Sequence, residues 1–327
     1  EIVEVNIVGN STMRDLFFNL DVEPIGVKPY KSIIEIDYLE GKNQSTEMLT
    51  KAKNLNIRIN SEANIYSPPL IASHIGSDVS AGLIATDFFQ NNKMKMLLDI
   101  GTNTEVVLGT PDRMLAASCP AGPAFEGGEI TFGMPGYDGA IEKVTYNNKN
   151  FTYQTIGNSK PLGLCGSGLI DFLSVLVNNN LMTPLGKFQE DKQSIYIDKS
   201  EPINLSRRDV SSLAQAKAAN VCGQALVIKD YGTNIEEIEN IYLAGGFANY
   251  IDIENAKDIG FILNFPIERI KKIGNSALEG ATKLLLSNKL RKNLVDNVTK
   301  IDHLELETKP EFFDYFVEGC QFKKISI

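Results

Sequence analysis

The chain has 327 residues, of which 43% are apolar and 22% are charged, a composition typical of a folded globular protein with room for two domains or lobes. Its net charge is −9 and no basic tract or Lys/Arg stripe stands out, so we expect no nucleic-acid partner. No apolar run approaches the roughly 20 residues that span a bilayer and no signal peptide opens the sequence, so we expect no membrane association.

The chain opens directly inside an apolar element. Residues 1–9 (EIVEVNIVG) predict a buried strand, and the first residue is Glu1 rather than Met, so we interpret the sequence as a fragment. A helix is predicted over 10–20, capped by Asn10 or Ser11. Residues 24–70 are predicted to be irregular, with scattered short strands.

A helix and a strand-rich block follow. The segment 73–89 predicts a turn and a helix capped by Ser77 or Asp78. The block 94–157 contains candidate strands at 94–100, 104–109, 113–118, 139–146 and 151–157. Between them, the glycine-dense segment 118–139 predicts an ordered, irregular loop, and such loops are commonly functional.

Helices and strand–turn–helix units make up the rest. A glycine turn leads into a helix over 165–182, and an Ala-rich helix is predicted over 207–232, with Asp209 as N-cap and Gly232 just past its end. The segments 238–252 and 270–287 each predict a strand, a glycine turn and a helix. The short similarity of 4–11 to 239–247 suggests two similar lobes, the first incomplete at its N-terminus.

The four cysteines lie far apart in the sequence and form no CxxC pair; they are Cys119, Cys165, Cys222 and Cys320. This spacing fits neither a zinc ribbon nor an iron–sulfur cluster. Disulfides are not expected in a chain of this length, so reduced thiols and a cytoplasmic location are predicted.

The stretch 97–109 (LLDIGTNTEVVLG) predicts a hairpin with a phosphate-binding tip. Gly101 permits close approach, while Thr102 and Asn103 offer donors at the tip. Asp99 ends the first strand, where a carboxylate is able to hold hydrated Mg²⁺ or orient water. The alternative is an ordinary β-hairpin with a polar tip.

Three glycine turns occur in order: DIGTNTE (99–105), CGSG (165–168) and LAGGF (243–247). Phosphate sites are built from backbone N–H groups at such turns and at helix N-termini. Together the turns predict a nucleotide held between converging loops, although each alone is equally consistent with an ordinary strand-to-helix turn.

These motifs resemble the acetate and sugar kinase/Hsp70/actin superfamily, and more specifically its activators that reductively restore corrinoid proteins. The strings that carry the resemblance run through most of the chain: VGNSTM (8–13), IGSDVSAGLIA (75–85), LLDIGTNTE (97–105), AGPAFEGGEITFGMPGYDGAI (121–141), GLCGSGLID (163–171), QAKAA (215–219), LAGGFANYID (243–252) and IGNSALEGA (273–281).

The resemblance implies an α/β, two-lobed actin-like (RNase H-like) ATPase fold whose first lobe is incomplete. It divides the chain into a first-lobe remainder (1–93), a second lobe with nucleotide motifs (94–290) and a C-terminal extension (291–327). The implied activity is ATP-dependent reduction of Co(II) to Co(I) in a corrinoid protein for methyl transfer, such as O-demethylation in an anaerobe. The implied cofactors are ATP or ADP and Mg²⁺. A 2Fe-2S cluster is expected only in a ferredoxin-like electron-donor module preceding this sequence, and a homodimer is possible within the superfamily.

The matching positions imply roles for individual residues. Asp99 would hold Mg²⁺ through water, and Glu126 would help organise metal or water, or merely cap a turn. The other candidates would bind nucleotide: Gly101, Thr102, Asn103, Gly166, Ser167, Gly168, Lys217, Gly245, Gly246 and Phe247. For Lys217 a solvated side chain is the alternative, and Asp78 and Asp252 are candidate helix caps, ligands or both.

Three other functions stay open: a small-molecule kinase of the same superfamily, an ATPase that activates 2-hydroxyacyl-CoA dehydratase, and a non-catalytic nucleotide-binding module. The kinase would need an acidic base facing a substrate hydroxyl. The dehydratase activators resemble homodimers bridged by a 4Fe-4S cluster, for which the cysteine spacing offers no obvious pair.

Overall fold

The computed structural model describes residues 1–198, 201–246 and 248–327. These residues form two compact units that are discontinuous in sequence. Unit 1 comprises Glu1–Asp99, Val107–Ala117 and Asn275–Leu304, and unit 2 comprises Ile100–Val106, Ser118–Gly274 and Glu305–Ile327. The predicted domains were contiguous, and their boundaries stay a prediction.

The strands are, in chain order, β1 (Glu4–Asn6), β2 (Met48–Lys51), β3 (Asn64–Ser67), β4 (Lys95–Ile100), β5 (Thr104–Thr110), β6 (Arg113–Cys119), β7 (Ala140–Asn147), β8 (Asn150–Thr155), β9 (Gly163–Leu164), β10 (Ser194–Tyr196), β11 (Asn204–Ser206), β12 (Asn240–Ala244), β13 (Ile270–Gly274) and β14 (Ile301–His303). The α-helices are α1 (Ser11–Phe17), α2 (Glu23–Gly26), α3 (Ile33–Leu39), α4 (Ser77–Ala85), α5 (Gly166–Asn178), α6 (Arg207–Tyr231), α7 (Ile253–Asp258), α8 (Ser276–Leu285), α9 (Asn288–Val298) and α10 (Phe312–Gly319).

Unit 1 contains a small mixed sheet and a buried sheet. In the small sheet, β3 pairs in parallel with β1 and antiparallel with β2, and a core of Phe18, Ala52, Ala63 and Ile65 lies against it. In the second sheet, β4, β5, β6 and β14 are neighbours in that order. Met96, Leu97 and Leu98 are successive buried residues of β4, which is the pattern of a strand covered on both faces.

Helices α4 and α8 of unit 1 cross at very small residues. A Cβ added at Gly280 would lie 1.8 Å from the Ala81 carbonyl oxygen, so only glycine permits this approach. The crossing brings the N-terminus of α8, with Ser276, beside α4. It therefore determines which polar groups surround the end of β4.

Unit 2 is built around two long buried helices. In α5, ten of the thirteen residues are buried, so this helix is covered on nearly every side. Helix α6 is also largely buried along its length. Beside them lie the three-stranded sheet β8–β7–β9, the pair β10–β11 and the parallel pair β12–β13.

The predicted strands of the 94–157 block are confirmed, as are the helices after 165 and 207 and the left-handed Gly232 that ends α6. Asn10 is the N-cap of α1, as one of the two predicted alternatives had it, and Asp252 caps α7. These elements were predictable because long apolar periodicity and turn residues agree there.

Other local predictions were wrong. The first strand covers only Glu4–Asn6. The segment 24–70 contains short strands as predicted, β2 and β3, but it also contains the helix α3, which Ser32 caps and which was not predicted. The N-cap of α4 is Gly76, without a side-chain cap. The N-cap of α6 is Ser206, with Asp209 at the third helical position of a capping box.

Within the described residues, no helix has both the length and the apolarity needed to cross a bilayer.

Candidate functional site

The turn between β4 and β5 is closed by its own backbone and held by a distant loop. The Gly101 N–H donates to the Asn103 carbonyl at 3.0 Å. The Thr102 hydroxyl donates to Glu126 Oε2 at 2.5 Å, and the Gly122 N–H donates to the Thr102 carbonyl at 2.8 Å. The glycine-dense loop 118–139 is therefore anchored on the hairpin tip.

The Gly245–Gly246 turn lies against the same hairpin. Gly245 has φ of +113°, and a Cβ there would lie 2.0 Å from the Ile100 carbonyl oxygen. The Gly245 N–H donates to the Gly274 carbonyl at 3.0 Å, which ties the turn to the end of β13. A side chain at Gly245 would separate the two turns, so glycine is required for their contact.

A cavity of about 510 Å³ extends from these turns within unit 2. Its described lining combines apolar and polar side chains from the loop, from β7, from the start of α5 and from the segment after β12: Phe125, Glu126, Met134, Pro135, Gly136, Glu142, Ile156, Cys165, Gly166, Ser167, Gly246 and Tyr250. A largely apolar cleft with a few polar groups is the usual form of a small-molecule site.

The N-terminus of α5 opens onto this cavity. Cys165 is the N-cap residue, but its side chain accepts no hydrogen bond from the backbone N–H groups of the first helical turn. Gly168 packs against β7, where its added Cβ would lie 2.1 Å from the Ile141 carbonyl oxygen. Such a helix end favours negative charge or an acceptor.

Asp99 lies in unit 1, at the end of β4, in an acidic setting. Burial, and next the charge of Asp78, raise its pKa to about 6, while a 3.5 Å hydrogen bond from the Ser276 hydroxyl opposes the rise. Burial also raises the pKa of Asp78. Two neighbouring carboxylates without a cation between them are costly, and a hydrated cation would relieve that cost.

The donor set near Asp99 suits Mg²⁺ better than a fully protein-coordinated metal. In the described part of the chain, no group of three or more His, Cys, Asp and Glu residues is placed to hold a metal ion. Mg²⁺ commonly keeps its waters and binds through one or two carboxylates plus phosphates. Asp99 fits that requirement.

The structure does not bring Lys217 to the cavity. Its side chain is fully buried, and its ammonium donates to the carbonyls of Gly319 and Gln321, while the Phe322 ring lies 5.4 Å away. Burial lowers its pKa to about 7. Lys217 therefore stabilises the C-terminal segment, and neither the predicted nucleotide contact nor the alternative of a solvated lysine describes it.

Of the other predicted residues, Gly101, Thr102, Asn103 and Gly245 lie at the two contacting turns, and Glu126, Gly166, Ser167 and Gly246 line the cavity. Gly168 lies one residue further into α5. The prediction for Phe247 falls outside the described residues. Sequence reasoning missed Glu142, which directly follows the 121–141 string, and it gave no role to Phe125, Met134 and Tyr250, although these lie within the 121–141 and 243–252 strings.

Comparisons with known proteins agree with this architecture. Residues 93–327 match the family model described as the C-terminal domain of RACo, the ASKHA domain, and residues 1–91 match the RACo middle region. A solved structure, the reductive activator for corrinoid, iron-sulfur protein, superimposes with a TM-score of 0.87 at 31% identity and covers 98% of this chain. The described fold is therefore that of an actin-like ATPase.

Two curated relatives match over most of the chain. Corrinoid activation enzyme RamQ of Eubacterium limosum is 32% identical over 96% of this chain, and the methylated amine-specific Co(II) corrinoid protein reductase of Methanosarcina barkeri is 26% identical over 79%. The chain covers 55% and 51% of these two relatives and 53% of the solved chain. From the two family matches and the shared fold, this chain belongs to the RACo family, of which it contains the middle region and the C-terminal ASKHA domain.

Proposed function

We propose that the protein binds ATP or ADP with Mg²⁺ and uses it to reactivate a corrinoid protein by reducing Co(II) to Co(I). The observation that carries nucleotide binding is the contact of two glycine turns in unit 2, where Gly245 leaves no room for a side chain beside the Ile100 carbonyl. Such turns present backbone N–H groups to phosphate oxygens. The adjoining cavity has the volume for a nucleoside.

In this proposal each part of the site has one task. The backbone of Gly101 to Asn103 holds the terminal phosphates. The inner part of the nucleotide is held by the Gly245–Gly246 turn and by the N-terminus of α5 with Gly166 to Gly168. Asp99 binds Mg²⁺ through water. The bound Mg²⁺ would neutralise phosphate charge and polarise the terminal phosphoryl group.

Glu126 is the residue best placed to sense the phosphates. Its carboxylate accepts a hydrogen bond from the Thr102 hydroxyl at the hairpin tip. Glu126 also lines the cavity. Ligand binding at the tip would compete for the Thr102 hydroxyl and thereby release or reposition the loop 118–139. A bond of this kind supplies the two loop states that coupling to a partner requires.

The reductive activity is proposed from the relatives. RamQ and the Methanosarcina barkeri protein are named for corrinoid activation and for reduction of a Co(II) corrinoid protein. A reduced iron–sulfur donor would supply the one electron that converts Co(II) to Co(I), and the donor would be left oxidised. Nucleotide binding or hydrolysis would drive this transfer by shifting the activator between states with different affinity for the corrinoid protein.

The electron donor requires a module other than the described part of this chain. The four cysteines are free thiols, three of them buried, and none joins a metal-holding cluster of described residues. They do not fit a 2Fe-2S cluster. We therefore propose a ferredoxin-like donor module as partner, with the corrinoid protein as the second partner; a homodimer is a further proposal.

The test combines binding with turnover. Calorimetry with MgATP and MgADP should show binding to the wild-type protein. In a mixture of the protein, a corrinoid protein and a low-potential electron donor, Co(I) should form only when ATP is present, as detected by its absorption spectrum. The Asp99→Asn variant should retain folding and lose ATP-dependent Co(I) formation. Binding without any effect of ATP on Co(I) formation would contradict the reductive function, and phosphorylation of a small-molecule hydroxyl would indicate a kinase instead.

A further inference from the structure

The cavity of unit 2 carries acidic side chains and no basic ones among its described lining residues. Among its described lining residues the acidic side chains are Glu126 and Glu142, and no Lys, Arg or His is present. A carboxylate accepts hydrogen bonds and does not donate them. Next to these carboxylates, phosphate is therefore disfavoured, and a neutral group rich in O–H or N–H donors is favoured.

Glu142 reaches the cavity through a β-bulge. In the β7–β8 pairing, Ile141 faces Thr155 and Lys143 faces Gln154, so Glu142 is an extra residue with no partner across the ladder. A bulge of this kind re-aims a side chain and is typical next to functional sites. In a regular strand, side chains alternate strictly between the two faces of the sheet, and the bulge frees the Glu142 side chain from that alternation.

Glu142 is half-buried, and its side chain forms no hydrogen bond or ion pair with any residue that the structure describes. Its backbone lies against the first turn of α5, since the Glu142 nitrogen is 3.5 Å from a Cβ placed at Gly168. Both oxygens of this carboxylate are therefore free to accept hydrogen bonds from a ligand that carries donors.

We propose that Glu142 is a specificity residue that accepts hydrogen bonds from the two ribose hydroxyls of the nucleotide. The proposal rests on the nucleotide binding proposed above. The two oxygens of one carboxylate match a vicinal diol, because each hydroxyl donates one hydrogen. The base then lies along Phe125, Met134 and Tyr250, of which Tyr250 is 70% exposed. The terminal phosphates lie at the turn of Gly101 to Asn103, which does not belong to the described cavity lining.

The experiment compares two ligands that differ only in the diol, ATP and 2′,3′-dideoxy-ATP, each with Mg²⁺ and measured by calorimetry. Wild-type protein should bind ATP about tenfold or more tightly than the dideoxy analogue, as expected for hydrogen bonds to a charged acceptor. In Glu142→Ala the ratio should fall to about twofold or less, mainly through weaker ATP binding. Glu142→Gln, which keeps one acceptor, should give an intermediate ratio.

The matched control is Glu268→Ala, which removes the same charge from an exposed site of unit 2 outside the cavity lining. It should keep the wild-type ratio, and unfolding temperatures identify any variant that fails to fold. A preference for ATP over dideoxy-ATP that stays at the wild-type ratio in folded Glu142→Ala or Glu142→Gln would overturn the assignment. Equal weakening of the binding of both ligands would also overturn it, because the carboxylate would then contact the base rather than the ribose. Absence of binding of either ligand to wild-type protein would instead overturn the nucleotide site itself.

Discussion

At the residue scale, a buried carboxylate carries an electrostatic cost that a bound cation would relieve. Asp99 illustrates this, because burial and the charge of Asp78 raise its pKa to about 6. An ionised Asp99 therefore destabilises the folded protein at neutral pH in the absence of a cation. Sites that bind charged ligands are commonly unfavourable when empty.

The pH dependence of stability follows from this shift. Asp99 is neutral in both folded and unfolded states well below pH 4, and it is ionised in both above about pH 6. Between these values the folded state binds more protons, so the free energy of unfolding falls as pH rises, by at most about 3 kcal/mol from this group. Asp99→Asn should therefore be more stable than wild type at pH 7.5 in EDTA, and the difference should vanish near pH 4. Urea denaturation checks this, and a variant less stable than wild type at pH 7.5 would contradict it.

The two adjacent glycines of the 243–247 turn should respond differently to alanine. At Gly245, a Cβ would meet the Ile100 carbonyl and φ is positive, so Gly245→Ala should cost roughly 2–4 kcal/mol and weaken nucleotide binding. At Gly246 nothing lies within 4 Å of the added Cβ, so Gly246→Ala should cost under about 1 kcal/mol. Thermal unfolding of the pair provides the measurement, and equal losses would show that the two turns are not in contact.

Among the elements, α6 and the glycine-dense loop are connected by one carboxylate. Asp209 accepts from the Ser206 N–H and hydroxyl in the capping box, and also from the N–H and hydroxyl of Thr131 at 2.9 and 3.0 Å. Although burial opposes it, these hydrogen bonds keep the pKa of Asp209 below its ordinary value. Helix stability and loop position are therefore linked.

Asp209→Ala should destabilise the protein by roughly 2–4 kcal/mol, because the N–H and hydroxyl groups of Ser206 and Thr131 lose a charged acceptor. Ser206→Ala removes only the helix cap and should cost about 1 kcal/mol. Denaturant titration gives both values, and faster hydrogen exchange at 130–132 in Asp209→Ala alone would report the loosened loop. Equal effects of the two substitutions would argue against the link to Thr131.

At this scale the sequence predicts some features and not others. The hairpin of β4 and β5 and the long helices were predictable, because local patterns and tertiary packing agree there. The bulge at Glu142 was not, since it arises from how β7 pairs with β8 rather than from residue types nearby. Lys217 was misread because a helix pattern rich in alanine does not reveal that a distant C-terminal segment covers it.

For the molecule as a whole, the C-terminal segment completes unit 2. Helix α10 packs on α6, and Lys217 holds the following residues through the carbonyls of Gly319 and Gln321. The chain spans about half the length of the relatives that it matches. Its part in reducing a corrinoid protein is therefore a proposal, and that proposal requires unit 2 to be stably folded.

Lys217→Met should lower the free energy of unfolding by roughly 2–4 kcal/mol, because the buried Gly319 carbonyl and the half-buried Gln321 carbonyl lose their donor while the aliphatic volume is kept. The expected signs are a lower urea midpoint and easier proteolysis within 312–327. Lys229→Met is the control on the same helix; it removes an exposed ion pair with Glu311 and should leave the urea midpoint nearly unchanged. A Lys217→Met variant as stable as this control would refute the role of Lys217.

The central claim is that glycine turns far apart in the sequence meet at one nucleotide. Hydrogen exchange followed by mass spectrometry, with and without MgADP, tests it most directly. The account predicts simultaneous slowing of exchange at 100–104, 165–168 and 243–246, with little change in β1 to β3. Saturating MgADP that leaves these three segments unprotected, or that protects only one of them, would contradict it.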